Sequence, residues 1–175
     1  GASTYTGLTT VAQGVLKIES QYALGATNGN TTVAAGAGLH IDGGIVTANE
    51  SLVLNGLGFA NDGALRSISG NNTYSGPIVL AGLTRINSDS GTLTLNNPGT
   101  ISGAQTLILG GAGDIAADIA LVISGSLCKD GTGTARLNSV TNTYNVVTSV
   151  SNGTLLVNGI LHQTLATPTT VWNGG

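Results

Sequence analysis

The sequence predicts an all-β chain wound as a parallel β-helix, and three observations favour this class. Short bursts of alternating apolar and polar residues are separated by Gly, Asn and Ser, as in SLCKDGTGTARLNSVTNTYNVVTSVSNGTLLVNG at 126–159. Related phrases recur at a long period, which is typical of repeat architectures. Aromatic residues are only 3% of the chain, too few for a sandwich core, and the turns are too variable to be two-residue hairpins.

Composition limits both the core and the classes of function. The chain is 41% hydrophobic with no Met, one Phe and one Trp, so Val, Ile, Leu and Ala must fill a core of stacked strands. Charged residues are 7% of the chain, far below the roughly 25% of an average soluble domain. The net charge is -3 and the five basic residues are scattered, which gives no footprint for a phosphate backbone. We therefore expect no nucleic-acid partner.

Membrane insertion and disulfide bonding are not expected for this segment. No apolar run approaches the ~20 residues of a spanning helix, and the alternating bursts of about five residues are shorter than an outer-membrane strand. The single Cys128 allows no intrachain disulfide, so stacking must supply the stability. We expect a half-buried, inert thiol there, with an intermolecular contact as the alternative. Without a signal-peptide pattern, and beginning within a repeat copy, the chain is expected to be a fragment of something longer.

A Tyr-centred phrase marks the repeat. It occurs as STYTG, NTYSG and NTYNV, so that copies start near Tyr5, Tyr74 and Tyr144, about 70 residues apart. Upstream, the phrase LVLNG at 52–56 matches LVISG at 121–125. We expect one β-solenoid segment over residues 1–175, with coils of about 20–25 residues stacked at ~4.8 Å, about three coils to each period and roughly 35 Å in total.

The strand-like bursts predict the coils in order. In the first period they lie at 32–33, 39–41, 45–47 and 51–54, and in the second at 83–86, 92–95, 106–109 and 119–123. Only 114–120 has a trace of helical period, and it is too short to form a helix alone. Alternation places Val11, Leu16 and Ile18 inside, and Thr9, Thr10 and Lys17 in water. Three Asn residues that follow apolar bursts are expected at turns, with their side chains bonded in ladders: Asn55, Asn87 and Asn158.

Three phrases carry a family resemblance: DGTGTARL at 130–137, NTY at 142–144 and GTLLVNG at 153–159. They resemble the passenger-associated transport repeat, also called the autotransporter-associated β-strand repeat, whose phrases are G-x-G-T-L-x-L, N-T-Y-T-G and G-T-L-x-V-N-G. The stretches 71–97 and 110–114 are similar to a variant form, and 170–175 looks like the start of a further coil. Four residues depart from the pattern: Ala135, Arg136, Asn145 and Val146.

The resemblance implies a right-handed single-stranded parallel β-helix in the passenger region of a large surface protein. Such a protein is exported through the outer membrane of a Gram-negative bacterium by a C-terminal barrel, so the expected location is extracellular or at the cell surface. The scarcity of Cys and of bulky aromatic residues is consistent with a chain that passes unfolded through a narrow pore.

No reactive site is predicted. β-Helix enzymes that cleave polysaccharides use paired acids on one exposed face. The candidate carboxylates in this chain have no spacing that forces two of them together: Asp42, Asp62, Asp89, Asp114, Asp118 and Asp130. His40 and Asp42 share a face of one strand without a third partner for a metal or for acid-base work. The GGAGD at 110–114 resembles a calcium-binding repeat, but its Asp is one residue early and the unit does not recur. We expect no catalytic, cofactor or metal residues and no cofactor.

Two smaller features stay open or carry little weight. The tyrosines at 5, 74 and 144 either form an exposed ladder for sugar stacking or pack at corners, and packing is favoured. Four Asn residues begin N-x-Ser/Thr sequons, which an Asn- and Thr-rich chain contains by chance: Asn30, Asn49, Asn71 and Asn152.

The expected function is that of a non-catalytic structural stalk, whose stacking also aids export. The first alternative is an adhesin surface that binds glycans on a host or neighbouring cell, or that associates with its own copies through open solenoid ends. The second alternative is a fragment of a polysaccharide-active enzyme that uses Asp42, Asp62 and Asp114.

Overall fold

The computed structural model describes residues 3–96, 99–144 and 147–159, together with the backbone of Leu161–His162 and Thr170–Val171. These residues form twenty strands and one turn of 3₁₀ helix at Phe59–Asn61. The strands are β1 (Thr9–Val11), β2 (Val15–Ile18), β3 (Asn30–Val33), β4 (Gly38–Ile41), β5 (Ser51–Gly56), β6 (Leu65–Ser67), β7 (Asn72–Tyr74), β8 (Ile78–Ser88), β9 (Thr92–Leu95), β10 (Thr100–Gly103), β11 (Leu107–Gly110), β12 (Asp114–Ala117), β13 (Ala120–Ile123), β14 (Leu127–Lys129), β15 (Thr134–Leu137), β16 (Asn142–Tyr144), β17 (Thr148–Val150), β18 (Thr154–Val157), β19 (Leu161–His162) and β20 (Thr170–Val171).

The strands form three faces of a rod, and each strand pairs in parallel with its counterpart on the next coil. The first face contains β1, β3, β5, the start of β8, β10, β13, β16 and β19. The second face contains β2, β4, β6, the end of β8, β11, β14, β17 and β20. The third face contains β7, β9, β12, β15 and β18. Because β8 continues from the first face to the second without a break, these two faces form one 15-stranded sheet.

The parallel β-solenoid predicted from the sequence is confirmed, with about 7 turns. The shortest coil between paired residues is 19 residues, from Asn142 to Leu161. The longest is 28 residues, from Gly56 to Thr84, after a shift in register between β5 and β8. Seven turns at the ~4.8 Å spacing of neighbouring strands give a rod of roughly 34 Å. The right hand of the winding stays a prediction from the resemblance.

The interior of the rod is filled by rows of aliphatic side chains, one from each coil. Alternation along each strand turns every second residue inward, so that Leu52, Ile78, Ile101 and Leu121 lie one above the other with no exposure. As predicted, Val11 and Ile18 are buried, Leu16 packs against the core, and Thr10 and Lys17 are exposed. The prediction that Thr9 faces water was wrong: Thr9 is half-buried, because it lies two residues before Val11 and so on the same side of the strand.

Two of the three turn predictions for Asn were wrong. Asn55 lies within β5 and Asn87 lies within β8, because these strands continue beyond their apolar residues. Asn158 does follow β18, and its side chain donates to Asn138 Oδ1 at 2.8 Å. Asn138 in turn donates to Asp118 Oδ1 at 2.6 Å, so an inter-coil ladder is present at this corner.

The structure places the Tyr-centred phrases on different faces. Tyr74 ends β7 on the third face, and Tyr144 ends β16 on the first face. Three coils from Tyr74 lead through Leu95 and Ala117 to Leu137, so Tyr144 lies one face further along the winding. The period of about 70 residues stays a prediction, while the structural unit is the single coil. The variant residues at 145 and 146, and those at 172–175, lie outside the described residues.

Candidate functional site

The outer surface of the second face carries a cluster of charged side chains. In β6, Leu65 and Ser67 turn inward, so the alternation directs Arg66 outward. The Arg66 guanidinium forms ion pairs with Asp62 at 2.8 Å and with Asp89 at 2.6 Å. One arginine therefore joins a loop of its own coil to the next coil.

The cluster continues through an amide to a second arginine. Asn87, the neighbour of Arg66 on the next strand, donates to Asp89 Oδ1 at 2.9 Å and accepts from Arg85 Nε at 3.3 Å. Arg66 and Arg85 are thus linked through one amide and one carboxylate. We call Asp62, Arg66, Arg85, Asn87, Asp89 and Asp130 the second-face charge network.

The last ion pair of the network spans an intervening coil. Arg85 donates from both Nη atoms to the two carboxylate oxygens of Asp130, at 2.7 and 2.8 Å. Asp130 lies two coils beyond Arg85, and Gly110 occupies the coil between them. A Cβ on Gly110 would overlap with both Asp130 Oδ1 and Arg85 Nη2. Glycine at this position is therefore what allows the two charged groups to meet.

A lysine lies inside the rod next to this network. The inward row of the second face runs through Leu65, Ile86 and Leu109 to Lys129, which is buried. Its ammonium donates to the backbone carbonyls of Asp130, Gly131 (2.8 Å) and Asn152 (3.4 Å), which belong to two consecutive corners. Burial lowers the pKa of Lys129. The carbonyls explain how a cation is held at a position that leucine or isoleucine occupies on the three preceding coils.

A buried carboxyl lies at the corner between the third and first faces. The Thr31 hydroxyl donates to Glu50 Oε1, while Glu50 Oε2 has no hydrogen-bond partner within the described part of the chain. Burial raises the pKa of Glu50. The Tyr74 hydroxyl donates to the Glu50 backbone carbonyl at 2.7 Å, which ties neighbouring coils together.

The three acids of the enzyme alternative lie in separate ion pairs. Asp42 contacts the Lys17 ammonium at 2.7 Å, and Asp62 contacts Arg66. Asp114 contacts Arg136 at 2.8 Å, and the arginine holds the pKa of this carboxyl below its usual range. The structure does not bring the three acids together.

One proximity was not found from the sequence. Asp62 and Asp89 both bind Arg66, although their separation along the chain gave no reason to expect it. The coil from Leu39 to Leu65 contains the additional loop around the 3₁₀ turn, and this loop brings Asp62 beside the next coil. Variable coil lengths hide such neighbours from a search for fixed spacings.

His40 and Asp42 are close in the chain but have different surroundings. His40 lies in β4 beside Arg66 of the next strand and is largely buried. Burial, and then the Arg66 charge, lower the pKa of His40. Asp42 follows the strand and accepts a hydrogen bond from Ser69 at 2.5 Å. Among the described residues, no three His, Cys, Asp or Glu side chains form a group that could hold a metal ion.

The tyrosines do not form an exposed ladder, so the alternative of a ladder for sugar stacking was wrong. Tyr74 and Tyr144 are buried at the inward ends of their strands, while Tyr5 is 43% exposed and its hydroxyl lies 2.7 Å from Thr9 Oγ1. Cys128 is a half-buried free thiol in β14. No helix in the described ranges is long and apolar enough to cross a membrane.

These features define a parallel β-solenoid in which charged side chains bridge successive coils. Three segments of the chain match the family model of the passenger-associated-transport-repeat: residues 1–18, 67–88 and 127–157. The chain carries copies of this repeat, which confirms the resemblance seen in its motifs. The family is a structural repeat of autotransporter passengers and implies a secreted or surface-exposed protein of a Gram-negative bacterium. No curated protein and no solved structure matches the chain.

Proposed function

We propose that this chain is a non-catalytic stalk segment of an autotransporter-type passenger, a rod that holds other parts of the protein away from the cell. The observation that supports this function is that the basic side chains bind carboxylates or backbone carbonyls of the rod itself. All five basic residues of the chain are described, and four of them form ion pairs with carboxylates. The fifth, Lys129, is bound by corner carbonyls. The charges therefore join coils and do not converge on a reaction site.

Rigidity follows from the pairing of the strands. Parallel strand pairing continues from coil to coil along the first face from β1 to β19 and along the second from β2 to β20, with a shift in register where β5 pairs with β8. Each coil contacts its neighbours through these ladders and through the inward rows, so bending the rod would open hydrogen bonds on one side. Such resistance to bending is the mechanical property that a spacer requires.

Stepwise stacking also fits a role in export. In a solenoid the stability is approximately a sum over neighbouring coils, so folding propagates once a few coils have stacked. A chain that emerges gradually from a pore can fold in this way, because each coil needs only the previous one as a template. Folding outside the membrane would then oppose backward movement of the chain.

Removal of one complete coil tests the stalk function. Deletion of residues 115–134 joins Asp114 to Ala135 and keeps every strand on its own face, because Ile115 pairs with Ala135. We expect a folded rod shortened by ~4.8 Å in small-angle scattering, and unchanged function of the distal part in the full passenger displayed on cells. Deletion of 115–124 is the matched control, since it moves later strands to other faces and should prevent folding.

Two results would contradict the stalk function. The first is a coil deletion that folds with the expected length but abolishes surface activity, which would place the activity in the segment itself. The second is hydrolysis of a polysaccharide by the purified chain that is lost on substitution of Asp42, Asp62 and Asp114 by Asn.

A specific observation favours an adhesin as the second candidate. The outer row of the first face carries no charge and has exposed valines at positions 79 and 122; it consists of Thr10, Thr32, Val53, Val79, Ser102, Val122 and Thr143. Such a flat row could contact glycans or a second copy. Glycan-array binding or concentration-dependent sedimentation that is lost in Val79→Lys would support it, and an inert monomer in both assays would remove it.

A further inference from the structure

Five Asn-Gly dipeptides occur in the chain, at 28–29, 55–56, 152–153, 158–159 and 173–174. Asn followed by Gly is chemically labile, because the glycine nitrogen can attack the side-chain amide carbon without hindrance from a Cβ. Because glycine follows asparagine in all five dipeptides, this pair of residues alone predicts the same reactivity for each. Only the folded structure can distinguish them, through the position and hydrogen bonding of each glycine nitrogen.

The dipeptide at 152–153 has the reactive groups next to each other. It lies in the corner between β17 and β18, and both residues are exposed. The Gly153 N–H donates to the side-chain oxygen of Asn152 at 2.8 Å. This contact polarises the amide and brings the nitrogen within reach of the carbon bonded to that oxygen. Reacting atoms held in such proximity gain a large rate advantage.

Two other dipeptides have their glycine nitrogens occupied by backbone hydrogen bonds. The Gly29 N–H donates to the Ala26 carbonyl at 3.2 Å, and the Gly159 N–H donates to the Leu137 carbonyl at 3.0 Å. The Asn158 side chain is in addition a donor in the inter-coil ladder. Attack would require these contacts to open first.

The dipeptide at 55–56 lies within β5 and is only half exposed. The Asn55 amide packs so closely against the next coil that a Cβ on Gly82 would overlap with it. Rotation of this side chain toward its own backbone is therefore restricted. The dipeptide at 173–174 lies outside the described residues.

We propose that Asn152 is a site of spontaneous deamidation whose rate is raised by the folded corner. The Gly153 nitrogen gives its proton to a solvent base and bonds to Asn152 Cγ. Nδ2 then takes a proton from solvent, the Cγ–Nδ2 bond breaks and ammonia leaves. Water then opens the resulting succinimide at either carbonyl to give aspartate or isoaspartate. No oxidant, metal or enzyme takes part.

The product alters a corner that is crowded on its inner side. Lys129 reaches the Asn152 carbonyl from within the rod, so the new carboxylate lies in the same corner as a buried cation. In the isoaspartate form the main chain gains one carbon where Gly153 packs closely on Gly131 of the preceding coil. We expect the aspartate form to be tolerated and the isoaspartate form to loosen β17 and β18. The fraction of chains with isoaspartate at position 152 would then increase with the age of the protein.

The test compares deamidation of the same sites in folded and unfolded chains. The complete chain is incubated at mildly alkaline pH, with and without guanidinium chloride. Conversion at each Asn is followed by mass spectrometry with electron-transfer fragmentation, which distinguishes isoaspartate. In the folded chain Asn152 should react about tenfold or more faster than Asn158. In guanidinium chloride the two rates should become similar, because the next residue is glycine in both cases.

Asn152→Gln and Asn158→Gln serve as matched variants. The first should remove from the ammonia release of the folded protein the share that mass spectrometry assigns to Asn152, and the second should leave that share unchanged. Equal rates at the two sites in the folded chain would overturn the proposal. So would a lower rate at Asn152 in the folded chain than in guanidinium chloride, since the corner would then protect the site.

Discussion

The first and second faces of the rod share one sheet but differ in surface chemistry. On the first face the outer row is uncharged from Thr10 to Thr143, and neighbouring coils meet there through the backbone ladder and small side chains. On the second face Arg66 connects side chains of successive coils, and Arg85 connects side chains two coils apart. The same backbone therefore supports either a plain surface or one in which side chains fix the stacking.

The interior shows a related difference between these two faces. The inward row of the first face that starts at Leu52 is aliphatic as far as Leu121, whereas an inward row of the second face contains Lys129. A cation is accepted on the second face because Lys129 reaches the carbonyls of the adjoining corner. Corner carbonyls within reach, and not burial alone, decide where the core accepts a charge.

The largest effect should come from placing a charge in the interior of the first face. Leu121→Lys buries an ammonium in an aliphatic row, and we expect a loss of about 4 kcal/mol or more in the free energy of unfolding. Val122→Lys is the control, because Val122 is the next residue and 43% exposed. Chemical denaturation of both variants measures the difference. Equal stabilities would mean that the rod interior does not exclude charge.

A methyl group at Gly110 should disrupt the second face next most strongly. Gly110→Ala would separate Arg85 from Asp130, and we expect a loss of about 2 kcal/mol in unfolding free energy. Gly7→Ala is a control, since a Cβ there meets no atom within 4 Å. The cost should fall when Asp130→Asn is also present. A cost that is unchanged in that background would show that backbone strain, and not the ion pair, is responsible.

The ion pair across Gly110 should have a modest energy of its own. The side chains of Arg85 and Asp130 are 19% and 34% exposed, so water screens part of their attraction. A double-mutant cycle with Arg85→Gln and Asp130→Asn should give a coupling of about 1 kcal/mol, near the upper end for such pairs. Lys17 and Asp42 should give a smaller coupling in the same assay, because the Lys17 side chain is 46% exposed and its ammonium lacks the two-pronged geometry of a guanidinium. The reverse order would contradict the role assigned to Gly110.

The smallest expected effect is a dependence on pH that arises from Glu50. Its pKa in the folded chain is raised above its ordinary value of 4.5, so its contribution to stability is complete below that value and is lost as pH rises through the folded pKa. Glu50→Gln should therefore match the wild type in acid and exceed it in stability at neutral pH. Urea unfolding across this range measures the difference, and a constant difference at all pH values would contradict it.

The Tyr-centred phrase shows which structural features the local sequence pattern predicts and which it does not. The copy at Tyr5 precedes the first strand. The copies at Tyr74 and Tyr144 begin with strand residues, and in both the buried ring at the strand end follows from alternation. Their placement on different faces does not follow from it, because the winding between them includes an additional face. The sequence repeat thus predicted the local strand conformation, but it did not predict on which face of the rod each copy lies.

The candidate site was less accessible to prediction than the fold. Asp130 and Gly110 were noted in turn motifs, but nothing in the sequence indicated that Arg85 reaches Asp130 over Gly110. Lys129 was counted only as one of five scattered basic residues, although it lies at an inward position. A regular alternation extended from Leu127 to Lys129 would have indicated it.

The sequence by itself determined that this chain is all-β, that its strands are short, and which of its aliphatic residues face the core. These properties depend on alternation and on turn residues, which act over a few positions. Only the tertiary structure decided which side chains on different coils become neighbours, and which Asn-Gly nitrogen lies against the side chain of its own asparagine. The physical reason is that coil length varies from 19 to 28 residues, so contacts between coils depend on the accumulated winding of the whole chain.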